Sequence, residues 1–158
     1  MGSGKSYWGK IWAKQNGYSF YDLDAQIEQS FEMTIEQIFE KHGEEKFREI
    51  ERLYLRKFEN KKKYLLASGG GTPCFFDNME WMQQHGRVIY LKASPQYLLE
   101  KVMDETAKRP LLKKVNSSEL LFFIQKKLKE REPFYNKAHH IVEVEKLDKN
   151  SLALMMDK

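Results

Sequence analysis

The sequence predicts an α/β fold with a mostly parallel sheet flanked by helices. Two observations carry this. Four short apolar runs, at 18–21, 64–67, 88–91 and 141–144, stand between stretches of helical spacing. Glycine-rich or polar turns separate them, as in chains where strands and helices alternate.

The elements follow in order. Lys5 to Asn16 reads as a helix that Gly17 closes. Tyr18-Ser19-Phe20-Tyr21 is a short strand, and Asp24 to Ser30 a helix with Ile27 on its inner face. Thr34 caps a helix to Lys41, with Gln37 at capping-box spacing. Glu44 to Asn60 is a long helix whose Phe47, Ile50, Tyr54 and Phe58 share one face. Tyr64-Leu65-Leu66-Ala67 is an apolar strand that runs into Gly69-Gly70-Gly71. Asn78 to His85 is a helix and Val88-Ile89-Tyr90-Leu91 a buried strand. Pro95 opens a helix to about Asp104, and Thr106 to Asn116 is a basic loop. Ser117 or Ser118 caps a helix to about Arg131, where Pro133 is expected to bend or restart it. Ile141-Val142-Glu143-Val144 is the last strand, and Ser151 to Met156 a short closing helix.

The 158 residues suit one domain spanning 1–158, and 41% hydrophobic content is enough for a core. No run of 18 apolar residues predicts a membrane helix, and no leader pattern points to secretion, so a cytoplasmic protein is expected. A single cysteine, Cys74, excludes a disulfide framework and a Cys-based zinc cluster. The net charge of +4 is mild but uneven: from Glu105 to Lys137 nine Lys/Arg stand against four Asp/Glu. A local basic zone suits a phosphate ligand better than a nucleic-acid face, and no nucleic-acid motif accompanies it. No nucleic-acid partner and no membrane contact are expected.

Six short segments carry candidate chemistry, each with a plain structural alternative. Gly2-Ser3-Gly4-Lys5-Ser6 opens a helix and matches the second half of a phosphate loop, although alone it is equally compatible with a flexible start. Backbone N–H groups and the helix N-terminus would face phosphates. Asp22-Leu23-Asp24 spaces two carboxylates on one side of an extended chain, for a cation and a substrate hydroxyl, or else supplies a helix cap at Asp24. Arg48 and Glu51 stand at i, i+3, either as a held arginine for a substrate carboxylate or as a surface ion pair. Gly69-Gly70-Gly71 offers close backbone approach, or a turn. Arg109 in the basic loop can fold over phosphates, or stay solvated. Arg131 can bind an anionic group, or complement a helix C-terminus. Cys74, His139 and His140 form no evident constellation.

These segments, in this order, resemble the shikimate kinase family. The resemblance rests on Gly2 to Ser6, Phe20 to Asp24 with Ile27-Glu28, Ile38-Phe39, Gly43-Glu44, Phe47 to Glu51, Ser68 to Gly71, Arg109 to Leu112, and Arg131 to Tyr135 with Ala138. It implies a three-layer P-loop kinase fold with a central parallel sheet, five strands in the family and four visible here, plus a lid. The lid is expected at about 105–117 and the substrate-binding helical region at about 24–60. The implied reaction is ATP-dependent phosphorylation of the 3-hydroxyl of shikimate, with Mg²⁺, in chorismate and aromatic amino-acid biosynthesis. Gly2, Ser3, Gly4, Lys5, Ser6, Tyr7 and Arg109 would serve ATP, and Ser6 and Asp22 the Mg²⁺. Asp24, with Lys5 and Arg109, would be catalytic. Asp24, Arg48, Glu51, Gly69, Gly70, Gly71, Arg131, Phe39 and Phe47 would bind substrate. A monomer is expected.

Three departures bear on these expectations. Tyr7 stands where the family usually has a second hydroxyl residue, and Lys101-Val102 where it often has an arginine near adenine, so the adenine loop is assigned loosely to Asp148 through Ser151. A phosphate loop follows a strand, so a strand and first glycine of about ten residues are expected ahead of Met1, as in a chain read from an internal methionine. Another small-molecule P-loop kinase, such as one for gluconate, and a truncated non-catalytic kinase-like domain are the competing readings.

Overall fold

The structure, a computed structural model, describes residues 2–107 and 116–156. Helix α1 (Lys5–Asn16) leads to strand β1 (Ser19–Asp22), then helices α2 (Leu23–Phe31) and α3 (Ile35–Arg56) and strand β2 (Tyr64–Ala67). Helix α4 (Asn78–His85), strand β3 (Ile89–Lys92), helices α5 (Pro95–Ala107) and α6 (Ser117–Tyr135), strand β4 (His140–Glu143) and helix α7 (Ser151–Met156) complete the order.

All four expected strands form, and both pairings are parallel. β1 pairs with β2 in the register Ser19 to Tyr64, and β3 with β4 in the register Ile89 to His140. The four strands pair two and two: among the described residues β2 and β3 do not hydrogen-bond to each other. A groove lies there, lined by Tyr64 to Ala67 of β2, by Val88, Ile89 and Leu91 at β3, and by Gly9 and Trp12 of α1. Helix α1 also lies hard against β1. A Cβ at Gly9 would stand 2.5 Å from the Phe20 ring, so a side chain there would push the helix away.

Two apolar clusters hold the layers. One gathers Leu23, Ile27, Ile38, Phe47, Ile50, Tyr54, Leu55 and Phe58 where α2 and α3 cover β1 and β2. The other gathers Trp12, Leu91, Ala93, Leu98, Ile124, Val144, Leu152 and Met155 among α1, β3, α5, α6 and α7. Burial of this kind stabilises by about 25 cal/mol per Å² of apolar surface.

Several boundaries differ from expectation for identifiable reasons. Helices expected at 34–41 and 44–60 join as α3, with the predicted break surviving as a kink at Gly43 (φ 78°, ψ 166°). The Thr34–Gln37 capping box is present at its start. Helix α6 runs through Pro133 to Tyr135 without restarting there. Its last turn is tied down by Tyr135, whose hydroxyl donates to Gly70 O and whose ring packs 4.8 Å from Tyr90. Helix α5 runs past the expected Asp104 to Ala107, and α6 begins at Ser117. Arg109, with the rest of the expected lid through Val115, lies outside the described residues.

Candidate active site

The site is built at the carboxyl ends of β1 and β2, where ligands bind in open α/β sheets. Gly2 and Gly4 both have left-handed backbone (φ 64° and 75°), with the buried Ser3 between them, and Gly4 caps α1. Such alternation turns successive N–H groups to one side and makes an anion cradle. Lys5 opens α1 directly behind it. Tyr7, by contrast, is exposed, with its ring edge-on to Trp8.

Ser6 reaches across to β1, where its hydroxyl donates to Asp22 Oδ2 at 2.6 Å. The two carboxylates of Asp22-Leu23-Asp24 do not share one extended side as the spacing suggested. The strand ends at Asp22, which caps α2 by accepting from Ala25 N at 3.3 Å, and Asp24 falls in the first helical turn. Asp24 is half-buried there. Burial pushes its carboxyl up from 3.8 to about 6, with Glu51, Asp22 and Glu28 adding to the rise and Lys5 opposing it.

Arg48 and Glu51 form a buried pair on α3, not a surface one. Arg48 Nη1 donates to Glu51 Oε2 at 2.9 Å, with Glu51 almost fully buried at 1% exposure. Arg48 Nη2 is held by Glu44 Oε1 at 3.1 Å, while Nε finds no acceptor among the described residues. Aromatic rings surround the guanidinium: its carbon lies 5.6 Å from the Phe39 centroid, 5.1 Å from Phe47 and 4.3 Å from Phe75. Phe39 and Phe47 themselves pack at 4.5 Å.

The glycine run packs directly onto these groups. A Cβ at Gly71 would meet the Arg48 guanidinium at 2.7–2.9 Å. One at Gly69 would meet Glu51 Oε1 at 2.9 Å, Asp24 Oδ1 at 3.1 Å and Thr72 Oγ1 at 3.2 Å. Gly70 O accepts from Tyr135. Arg131, one turn earlier on α6, lines a cavity with Ser3, Lys5, Gly69, Gly70 and Tyr135. The structure therefore brings together Gly2 to Ser6, Asp22, Asp24, Phe39, Phe47, Arg48, Glu51, Gly69 to Gly71 and Arg131 around the ends of β1 and β2.

Four residues gain a place that sequence reasoning did not give them. Thr72 donates to Glu51 Oε1 at 2.5 Å, and Asn78 Nδ2 donates to Thr72 O at 2.9 Å. Phe75 stacks on Arg48. The Cys74 thiol is pushed up by burial, against the lowering effect of Arg131 and Arg48, and lies near Gly70 O. None follows from a local spacing; each arises from contact across the fold. The segment assigned loosely to adenine, 148–151, is a turn in which Asp148 Oδ1 accepts from Asn150 N and Ser151 Oγ, and Asp148 O accepts from Trp12 Nε1.

A glycine-built helix N-terminus, a hydroxyl–carboxylate pair beside it and a half-buried acid close to a buried arginine–glutamate pair are the equipment of a small-molecule kinase of the P-loop type. The family model described as shikimate kinase matches residues 1–156. The chain is 39% identical to the shikimate kinase of Phocaeicola vulgatus over 158 residues, which cover 99% of this chain and 90% of that one. It is 44% identical to the shikimate kinase of Parabacteroides distasonis over 147 residues, covering 93% and 85%. The crystal structure of shikimate kinase from Bacteroides thetaiotaomicron superposes with a TM-score of 0.92 at 33% identity, covering 100% of this chain and 94% of that one. That of Acinetobacter baumannii in complex with shikimate gives 0.82 at 34% identity, covering 99% and 86%. The chain belongs to the shikimate kinase family.

Proposed function

We propose that this chain transfers the γ-phosphoryl group of ATP to the 3-hydroxyl of shikimate, giving shikimate 3-phosphate and ADP. The observation that carries the reading is the convergence at Gly69, where Asp24, Glu51 and Thr72 all present oxygens to one point and Arg48 lies over the next glycine but one. A hydroxyl acceptor and a carboxylate-binding clamp thus belong to a single site.

Phosphoryl transfer asks for positioning and charge neutralisation more than for covalent work. The N–H groups at Gly2 to Gly4 and the start of α1 hold phosphate oxygens, and Lys5 meets the transferring group. Asp24 is ionised above about pH 6 and orients the attacking hydroxyl, taking its proton as the bond forms. Arg48 and Arg131 bind the substrate carboxylate. Phe39 and Phe47 wall the ring, and Gly69 to Gly71 bring the backbone close to it. Arg109, by the family motif, serves the phosphates of ATP.

Magnesium is the metal this reading implies. Ser6 Oγ and Asp22 Oδ2 are oxygen donors of the kind that a hard cation takes, and they lie beside the phosphate cradle, so the residues present fit it. Ser6 would ligate the ion and Asp22 would hold it through water. When bound, it neutralises phosphate charge. We read the protein as a cytoplasmic monomer without nucleic-acid or membrane partners; no helix among the described residues is long and apolar enough to cross a membrane.

The deciding assay is ATP turnover with and without shikimate, with Asp24→Asn as control and gluconate and a nucleoside in the substrate panel. Turnover that depends on shikimate and vanishes in Asp24→Asn is expected. Turnover driven by gluconate instead, or by no member of the panel, overturns the reading.

A further inference from the structure

Thr72 donates its hydroxyl to the buried carboxylate of the site, and neither the reaction nor the family motif accounts for it. It is fully buried, one residue beyond the glycine run. Its hydroxyl donates to Glu51 Oε1 at 2.5 Å, a length typical of a hydroxyl on a carboxylate. Its own carbonyl is fixed by Asn78 Nδ2 at the start of α4, and Asn78 is equally buried. A chain of side chains therefore runs from α4 through Thr72 and Glu51 to Arg48.

The division of labour at Glu51 gives this chain its meaning. Oε2 accepts from Arg48 and Oε1 from Thr72, so the two bonds together fix how the carboxylate is rotated. Oε1 crowds the same point as Asp24 Oδ1, and two acceptor oxygens left facing each other would repel. The Thr72 hydroxyl also stands at that point and gives Oε1 a donor. Freed from Thr72, the Glu51 carboxylate can swing, and Arg48 Nη1 goes with it. Glu44 is too exposed to hold the guanidinium by itself.

We propose that Thr72 is a positioning residue of the shikimate site: by holding Glu51 it aims Arg48 at the substrate carboxylate and sets the affinity for shikimate without touching it. This rests on the reading of Arg48 as the carboxylate clamp. Loss of the hydroxyl removes a hydrogen bond to a charged group and shows as a rise of about tenfold in the shikimate KM. The KM for ATP stays within about twofold, because Lys5 and the glycine-built start of α1 are untouched.

The test compares steady-state kinetics of the wild type, Thr72→Val and Thr72→Ser, with thermal melts of each. Valine keeps the shape and removes the donor; serine keeps the donor. The expected result is a raised shikimate KM in Thr72→Val alone and wild-type behaviour in Thr72→Ser. An unchanged shikimate KM in a folded Thr72→Val, or a fall in kcat with both KM values unmoved, overturns the proposal. Should the valine variant not fold, Thr72→Ser decides: wild-type kinetics support the hydroxyl's role, and a shikimate KM raised tenfold overturns it. A wild type without shikimate-dependent turnover overturns the proposed function and this inference together, whereas an active wild type with an indifferent Thr72→Val overturns this inference alone.

Discussion

The Ser6 hydroxyl donates to Asp22 Oδ2 at 2.6 Å, joining the first turn of α1 to the last residue of β1. This bond brings a phosphate cradle and a carboxylate side by side across 16 residues of sequence. Asp22 spends its other oxygen on the start of α2, accepting from Ala25 N. The residue thus fixes three elements around the place where the metal-bearing end of a nucleotide would lie.

Asp22→Asn tests that placement. Asparagine still caps a helix and still accepts a hydrogen bond, so the fold should survive. It removes the charge that holds a hydrated cation. The Mg²⁺ concentration for half-maximal rate should rise by about 10–100-fold, as for other outer-shell metal partners. A Mg²⁺ titration at saturating ATP and shikimate checks this, and an unshifted curve counts against a metal role for Asp22.

Asp24 couples activity and stability in opposite senses. Its folded pKa of about 6 stands above the ordinary 3.8, with burial as the largest cause and Glu51 next. The reaction uses the ionised form, so kcat/KM should fall as pH drops through about 6. Stability runs the other way. The contribution of a carboxyl with a raised pKa is fully present below 3.8 and is lost as pH rises to about 6, because the folded state then carries a charge it solvates poorly. Asp24→Asn should therefore be inactive yet melt higher than the wild type well above pH 6, with the gain gone below pH 3.8. A lower melting temperature across the whole range would contradict this account of the site.

Gly71 is required for space alone. Its backbone (φ −86°, ψ −23°) is ordinary for any residue, so Gly71→Ala carries no conformational strain. Its Cβ would nevertheless stand 2.7 Å from Arg48 Nη1 and 2.8 Å from Nη2. The guanidinium must move, and a displacement of that order costs on the order of 100-fold in a positioned interaction. The shikimate KM should rise by that factor, with stability down by about 1–3 kcal/mol and the ATP KM unchanged. Kinetics against both substrates, with a melt, settle it; equal losses for ATP and shikimate would point to general disruption instead.

The fold was legible in the sequence wherever local pattern decides structure. Strand β2 and helices α1, α4 and α7 fall at the expected residues because apolar runs, Gly17 and polar turns bound them sharply. The other strands each start one residue later or earlier than read, since alternating residues at a strand end mark no edge. Pro133 misled because a helix can pass a proline in its last turn when a residue beyond it, here Tyr135, is anchored elsewhere. In the site, Arg48 with Glu51 was visible as an i, i+3 pair, but its burial was not. That depends on Phe39, across the Gly43 kink of the same helix, and on Phe75 and Gly71 from elsewhere in the chain. Thr72 and Asn78 were invisible for the same reason: a single threonine after three glycines has no periodicity to betray it. The two-and-two pairing of the strands was likewise beyond local pattern, since apolar runs predict strands and not their neighbours.

The burial of the clamp makes a final prediction about which partner depends on which. Arg48 is 8% exposed and Glu51 1%, so each charge relies on the other in place of water. Replacing Arg48 alone by methionine fills much of its volume but leaves the Glu51 carboxylate buried beside Asp24 without a cation. Such an orphaned charge costs about 3–5 kcal/mol. Replacing Glu51 by leucine as well removes the orphan, and apolar side chains in place of a buried pair are often neutral for stability. The double variant should therefore be more stable than Arg48→Met, although both lose shikimate binding, and urea denaturation of the two with the wild type reads the order directly. If Arg48→Met proves no less stable than the double variant, then Glu51 does not depend on Arg48 for its burial. The pair would then owe its retention to substrate binding rather than to any contribution to the fold.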